Sequence, residues 1–305
     1  MMKGRSGLLK ILALDIGGTM IKSAIVDDHG RIAMENEVPS EGKQGGAKLL
    51  ENAFKLVSTY NDYDRIGIST TGQVNLADGS IKYANDNVPQ FIGTPIKEIF
   101  ENRFGVPTAV LNDVHAAALG EAHYGVGKRF SDFICLTYGT GVGGAIIIEK
   151  KVYFGGFGVA GEFGHIITHP DGLICGCGQR GCYEQYASTT ALVKKAMEVN
   201  PECVNGRIVF QILEKGSKDI KRVVDAWIQE VILGLRSLIP IFNPSCVVMG
   251  GGIMREDYIL SFINERIYDY LNPGHRGVKI IKAELGNHAG LLGASIYVSD
   301  GGKKQ

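Results

Sequence analysis

The stretch LDIGGTMIK, Leu14–Lys22, decides how the chain is read. An apolar run, LLKILALDIG from residue 8, delivers Asp15 to a pair of glycines and has the length and composition of a buried strand. Gly17 and Gly18 turn the chain, Thr19 adds a hydroxyl, and a second apolar run carrying Lys22 leads away. Strand, glycine turn, strand is a hairpin signal. Successive backbone N–H groups in such a turn form a concavity for anions. An Asp at the strand end beside phosphates could hold Mg²⁺ directly or through water. A tight hairpin that merely needs positive φ is the competing account of any one such turn.

The pattern occurs twice. TYGTGVGG, 137–144, repeats it with Gly139, Thr140, Gly141 and Gly143. A third turn, MGGGI at 249–253, follows a strand and precedes a helix. Its Gly250 and Gly251 carry no side chain, so their backbone could lie against a flat base. Neither the dinucleotide fingerprint nor the Walker A pattern is present. Strands alternate with helices along the chain, which argues for an α/β architecture. Two strand–hairpin openings with a phosphate turn inside each hairpin point to the duplicated ATP-binding fold of actin, heat-shock chaperones and hexokinases. That actin-like (ribonuclease H-like) ATPase fold implies two lobes with a cleft between them.

Length fits this reading. At 305 residues the chain exceeds the roughly 250–300 at which single cores stop growing, so two domains are expected. We expect an N-terminal lobe over residues 1–120, with the chain crossing near Gly120–Gly127. The C-terminal lobe would cover 121–289, and the last helix, about 290–305, could return to the first lobe. Long helices are expected from Glu184 to Met197 and from Ile220 to Ile239.

Thirty-two basic residues balance thirty-two acidic ones, so there is no electrostatic footprint for nucleic acid or an anionic membrane. No apolar segment reaches membrane-spanning length, and the start lacks a cleavage site after its short apolar stretch. A cytoplasmic protein with reduced thiols is expected.

VLNDVHAAALGE places Asn112 and Asp113 where a strand meets a helix. Asp113 there reads as a helix N-cap or as a general base that takes a proton from an attacking hydroxyl. Asn112 could donate to and accept from a polyol. His115 reads as a ligand or as a partly buried helix residue.

HIITHPDGLICGCGQRGCYE, residues 165–184, spends three of six cysteines within eight positions. Cys175 and Cys177 are too close to bridge without strain, and a disulfide to Cys182 is disfavoured in a reducing compartment. Thiolates spaced by glycine suit tetrahedral Zn²⁺, and Cys₃His is a known structural set. His165 and His169 are both candidates for the fourth ligand. Cys135, Cys203 and Cys246 lie in apolar contexts and read as ordinary buried residues.

Taken together, DIGGTMIK, LNDVHAAALGE, TYGTGVGGAII and GVAGEFGHIITHPDGLICGCGQRGCYEQYAS closely resemble the ROK family (repressors, open reading frames, kinases), in order and over nearly the whole chain. The family's kinases phosphorylate hexoses or N-acetylhexosamines with ATP and Mg²⁺ and are commonly dimers. The resemblance implies an ATP-dependent sugar kinase acting on a 6-hydroxyl, of glucokinase or N-acetylmannosamine kinase type. A β-glucoside kinase, a fructokinase or a non-catalytic sugar sensor are the alternatives. It makes Asp113 the catalytic base. Asn112, Glu162, His165 and Glu184 become sugar-binding residues, with Gly72 and Asn87 beside them. The nucleotide would be held by Asp15, Gly17, Gly18, Thr19, Lys22, Gly139, Thr140, Gly141, Gly143, Gly250 and Gly251. The GEFGH pattern selects His165 over His169, so that His165, Cys175, Cys177 and Cys182 would hold structural zinc. A homodimer is implied. Fourteen residues precede Asp15, so no helix-turn-helix domain is expected there. Two segments depart from the family pattern: STTGQVN, with Thr71 and Gly72, and NDNVPQF, where Gln90 stands in place of a frequent glycine. Both would border the sugar, so the substrate's identity turns on 71–73 and 85–91.

Overall fold

The computed structural model describes residues 9–84 and 86–302. Leu8, which opens the expected first strand, Asn85 of the second departing segment and the last residues of the polar tail, 303–305, lie outside the described residues. In chain order the strands and helices are β1 (Ile11–Ile16), β2 (Met20–Val26), β3 (Ile32–Pro39), α1 (Gly46–Val57), β4 (Arg65–Thr70), β5 (Gln73–Val74), β6 (Ile81–Tyr83), α2 (Ile96–Phe104), β7 (Thr108–Asn112) and α3 (Asp113–His123). There follow β8 (Phe133–Tyr138), β9 (Val142–Ile148), β10 (Lys151–Val152), α4 (Glu184–Ala187), α5 (Thr189–Val199), α6 (Gly206–Glu214), α7 (Lys218–Phe242), β11 (Cys246–Gly250), α8 (Asp257–Arg266), β12 (Lys279–Lys282) and α9 (Ala289–Ser299).

The chain divides into two compact units. The first comprises residues 9–128, 151–160 and 287–302 of the described chain, and the second 129–150 and 161–286. Each is built on the same plan. In the first unit the sheet order is β3-β2-β1-β4-β7, with β1 and β2 an antiparallel hairpin and β1, β4 and β7 parallel. In the second, β9, β8, β11 and β12 stand in that order, again a hairpin followed by two parallel partners. The repeated hairpin-plus-parallel sheet makes this a duplicated α/β protein.

Central strands are buried because their composition allows nothing else. ILALDI and CVVMG are almost wholly apolar, as parallel strands covered on both faces must be. In the first unit Leu12, Leu14, Ile66, Ile68 and Val110 form one core with Leu49, Ala53 and Leu56 of α1 and with Phe91 and Phe100. The edge strand β3 is different. Its residues from Ala33 to Glu37 are exposed, and two glutamates with Pro39 guard the edge against pairing with another chain.

The last helix, α9, packs on α3, β4 and β1 of the first unit. Close approach is possible only because glycines face the contact. A Cβ at Gly293 would strike the backbone of Ala116, one at Gly120 the carbonyl of Ala289, and one at Gly67 the carbonyl of Ala294.

The expected helix from Glu184 to Met197 is two helices. Ser188 is extended (φ −70°, ψ 160°) and its hydroxyl accepts the Ala191 N–H, so α4 stops and α5 starts with a cap inside a run of helical appearance. A helix over 206–214 and the small hairpin of β5 and β6 are additions to the expected elements.

Candidate active site and metal centre

In the first unit, register brings the candidate residues to one end of the sheet. Ile16, Thr70 and Asn112 are successive partners across β1, β4 and β7, so all three strands end together. The carboxyl ends of parallel strands are where open α/β sheets bind ligands. Asp15 lies beside Ser69, whose hydroxyl donates to Asp15 Oδ1 at 2.7 Å. Across the hairpin Asp15 pairs with Lys22. Burial raises the Asp15 pKa, against the opposing pull of the Ser69 hydrogen bond and the Lys22 charge. Gly290 of α9 closes the other side, where an added Cβ would stand 3.2 Å from the carboxylate. The β1–β2 turn is closed by Gly17 N–H to Met20 C=O at 3.0 Å, with Thr19 exposed beyond it. Asn87 stands next to this turn, its Cβ 3.9 Å from where a Gly18 side chain would begin.

Asn112, and not Asp113, caps α3. Asn112 is extended, and its Oδ1 accepts the N–H groups of Val114 at 3.0 Å and His115 at 3.2 Å. Its Nδ2 donates to the Gly72 carbonyl and to Asp113 Oδ1, each at 2.9 Å. The amide is thus fully used within the protein. Asp113 is the first helical residue. Its Oδ1 accepts from Asn112 and from the Val114 N–H at 2.8 Å, while Oδ2 makes no hydrogen bond among the described residues. Loss of water around the carboxyl and the nearby Asp15 charge push the Asp113 pKa up to about 7, against the lowering effect of the Val114 N–H, the Asn112 amide and its own backbone N–H. His115 is a core residue: buried, edge-on to Phe154, with Nε2 2.9 Å from the Ala160 carbonyl.

In the second unit, two of the three glycine turns meet. Gly250 pairs with Thr137, and a Cβ at Gly251 would collide with the Tyr138 backbone, so the turns after β8 and β11 lie side by side. Gly139 N–H bonds the Gly141 carbonyl at 3.0 Å, and Gly139 and Thr140 are exposed. Gly143 pairs with Thr137 in the hairpin.

The cysteine loop is folded by two isolated antiparallel bridges, Ile167 with Cys182 and Ile174 with Arg180. Gly178 and Gly181 both take positive φ there, and at Gly181 a side chain would strike the His169 carbonyl. Among the described residues, the group whose donor atoms could hold a metal is His165, Cys175, Cys177 and Cys182, all within 4.8 Å of one another. Cys177 and Cys182 sulfurs are 3.5 Å apart, and Cys175 Sγ is 3.7 Å from His165 Nδ1. A tetrahedral zinc with bonds of about 2.3 Å requires sulfur–sulfur edges of about 3.8 Å, so the donor set fits. Burial raises the thiol pKa of Cys175 and lifts that of Cys182 to about 12, whereas the Gln179 N–H lowers Cys177. A central cation would favour the thiolate forms of Cys175 and Cys182 against this burial.

His169 points elsewhere. Its ring stacks on Tyr186 at 3.9 Å, Nδ1 lies 3.1 Å from the Thr168 hydroxyl and Nε2 lies 3.5 Å from Glu230 Oε2. His165 presents Nε2 to the Glu162 carboxylate at 3.9 Å. Glu184 stands between cluster and turn: Cys175 Sγ donates to Oε1 at 3.1 Å, and Oε2 occupies the space a Gly141 Cβ would need. Glu162, His165, Glu184 and the glycine turn at 139–141 are therefore gathered in one unit, and Asp15, Gly72, Asn112 and Asp113 in the other. Ser69, Tyr138 and Tyr183 are structural partners of these residues that motif reading passed over. The one signal for Ser69 is a hydroxyl that follows the apolar run Ile66–Ile68 near the end of RIGIST.

The chain is similar to known proteins over nearly its whole length. A family model described as ROK family matches residues 11–300. A glucokinase of Streptomyces coelicolor is 36% identical, over 93% of this chain and 96% of that protein. An N-acetylmannosamine kinase of Pasteurella multocida is 30% identical, over 96% and 97%. The crystal structure of a ROK family glucokinase from Streptomyces griseus in complex with glucose and AMPPNP superposes with a TM-score of 0.83 at 34% identity, covering 95% of this chain and 98% of that one. The ROK hexokinase from Thermus thermophilus gives 0.83 at 32%, covering 96% and 100%.

Proposed function

The chain belongs to the ROK family, and on that premise we propose that it is an ATP-dependent sugar kinase. It transfers the γ-phosphoryl group to the 6-hydroxyl of a hexose or N-acetylhexosamine. Glucose and N-acetylmannosamine lead the candidates, glucose first because the identity to a glucokinase, 36%, exceeds that to an N-acetylmannosamine kinase, 30%.

The observation that carries the reading is the state of Asp113. One carboxylate oxygen is fixed by Asn112 and Val114, the other is left as an acceptor, and the pKa is brought to about 7. A base poised near the working pH is the most effective proton acceptor. Asp113 Oδ2 takes the proton of the sugar hydroxyl as that oxygen attacks the γ-phosphorus. The bond from γ-phosphorus to its bridging oxygen breaks and ADP leaves. Positioning and electrostatic stabilisation carry most of such a transfer.

Glu162, His165 and Glu184 are proposed to hydrogen-bond sugar hydroxyls, with Gly72 and Asn87 lining the sugar. Asn112, its amide committed, holds Asp113 in place. The turns at Gly17–Thr19, Gly139–Gly143 and Gly250–Gly251 are proposed to hold the nucleotide, with Lys22 adding charge. Asp15 is proposed to hold Mg²⁺, which would neutralise charge on the phosphates. Structural zinc on His165 and the three cysteines would stiffen the loop that carries Glu184. The dimer common in the family is proposed here too, and sedimentation equilibrium tests it.

The deciding experiment is a coupled ADP assay with glucose, N-acetylmannosamine, N-acetylglucosamine, a β-glucoside and fructose. The expected result is sugar-dependent ADP release for one of the first two. No ADP with any sugar, from folded protein, would overturn the kinase reading and favour a sensor.

A further inference from the structure

Two tyrosine hydroxyls are buried where the second unit joins its phosphate turn to its cysteine loop. Tyr138 ends β8 and directly precedes Gly139; Tyr183 sits between Cys182 and Glu184. Both side chains are completely buried. Their rings meet edge-on, centroids 6.4 Å apart at 84°, and their hydroxyl oxygens are 2.9 Å apart. Tyr183 donates to the Val231 carbonyl of α7 at 2.9 Å. With its proton committed there, Tyr183 can only accept from Tyr138, so the chain runs Tyr138 to Tyr183 to Val231. The Tyr183 ring lies in a slot left by Gly234, where any Cβ would collide with it.

Packing alone does not explain two hydroxyls at this depth. Burying a hydroxyl costs free energy unless it is hydrogen-bonded, and phenylalanine would fill the same volume. What the hydroxyls add is direction. They tie the end of β8 to the residue before Glu184. A second tie runs in parallel: Thr189 N–H donates to the Gly139 carbonyl at 2.9 Å, and its hydroxyl to the Tyr138 carbonyl at 3.4 Å. At the far end Glu184 Oε2 rests against Gly141. A shift of the turn at 139–141 cannot leave Glu184 unmoved.

We infer that Tyr138 and Tyr183 are positioning residues whose hydroxyl chain fixes Glu184 against the Gly139–Gly141 turn, so that sugar binding and nucleotide binding are energetically coupled within the second unit. The inference rests on the kinase reading above. Coupling between two ligands is reciprocal and is read as the factor by which one changes the affinity of the other.

The test is a calorimetric titration of D-glucose, or of N-acetyl-D-mannosamine if that is the sugar phosphorylated, with and without saturating AMPPNP. It is made on the wild type, Tyr138→Phe, Tyr183→Phe and the double variant. In the wild type AMPPNP should tighten sugar binding. Each single variant should lower that factor by roughly three- to tenfold, the range for loss of one buried neutral hydrogen bond. The double variant should be no worse than Tyr183→Phe. The sugar and ATP KM values should rise together, while kcat at saturation stays within about twofold. Zinc content should not change, which separates this effect from loss of the metal. An unchanged coupling factor in both variants, with or without a lowered melting temperature, would overturn the inference and leave the pair a packing feature. Folded wild-type protein that releases ADP with none of the five sugars named above would instead remove the kinase reading on which it stands. Should Tyr183→Phe fail to fold, Tyr138→Phe decides alone, since it keeps the bond from Tyr183 to Val231.

Discussion

Asn112 donates its side-chain N–H to Asp113 Oδ1 at 2.9 Å and, with its own oxygen, caps the helix that Asp113 begins. One residue therefore does the capping and its neighbour is released from it. A capping aspartate would have its oxygen spent on backbone N–H groups and its pKa drawn down. Asp113 accepts the Val114 N–H and the Asn112 amide on one oxygen, leaves the other without a hydrogen bond among the described residues, and has a pKa of about 7 because burial and the Asp15 charge outweigh those donors. The division of labour between adjacent residues is what makes proton transfer at this position chemically reasonable.

Replacing the base tests this directly. Asp113→Asn should lower kcat by roughly 10²–10⁴-fold, the usual contribution of a positioned general base, with the fold intact. Stability should move the other way at alkaline pH. The folded-state pKa of Asp113, about 7, lies above its unfolded value of 3.8, so the folded wild type binds the proton more tightly and loses stability as pH rises from about 4 to above 7. The variant escapes that loss. Its melting temperature should exceed the wild type's at pH 8.5 and match it near pH 4.

The pH–rate profile should carry the same group. A base that must be unprotonated gives log kcat/KM a limb of unit slope that falls away below about pH 7. Asn112→Ala removes a donor that lowers the Asp113 pKa, so this limb should shift to higher pH. Loss of the cap should also cost about 1 kcal/mol in denaturant unfolding. A limb that stays in place in Asn112→Ala would sever the link between the two residues.

Gln90 holds a left-handed conformation, φ +56°, at the position where the family resemblance calls for glycine. Such a backbone costs a non-glycine residue roughly 1–2 kcal/mol. Glycine would relieve that and give back roughly 0.5–1 kcal/mol in chain entropy. Gln90→Gly should thus raise the unfolding free energy by about 0.5 kcal/mol, while Gln90→Val should lower it.

For the metal, elemental analysis should find about one zinc per chain. His165→Ala should strip it at modest chelator concentrations, while His169→Ala, which breaks the stack on Tyr186 and the pairing with Glu230, should retain it. Chelation should raise the sugar KM, because the loop positions Glu184. Equal zinc loss from both variants would unseat the ligand assignment.

Much of this was legible in the sequence because the governing constraints are local. An apolar run that ends in Asp and two glycines can hardly be anything but a strand entering a turn, and RIGIST forms β4 over its whole length. The grouping of the three cysteines is likewise written in their spacing, whereas the choice of His165 over His169 rests on the family pattern GEFGH. Other features depend on contacts that spacing does not encode. Ser188 looked like one more residue of a helix, although the Ser-Thr-Thr that it opens is itself a cap signal. GRIVFQILE was passed over, although Asn205 before it caps the helix through the Ile208 N–H. That Asn112 rather than Asp113 serves as the cap depends on one ψ angle. The tyrosine pair joins residues 45 apart, and nothing in either neighbourhood announces the other.

The placement of α9 has a consequence for biosynthesis. Its residues 289–299 cover a sheet and a helix that are encoded before residue 124. A ribosome finishing the second unit holds a first unit with the flank beside Asp15 and Ser69 still bare. The apolar face at the Asp15 end of the sheet therefore stays uncovered until residues 289–299 have been made, far behind the strands they cover.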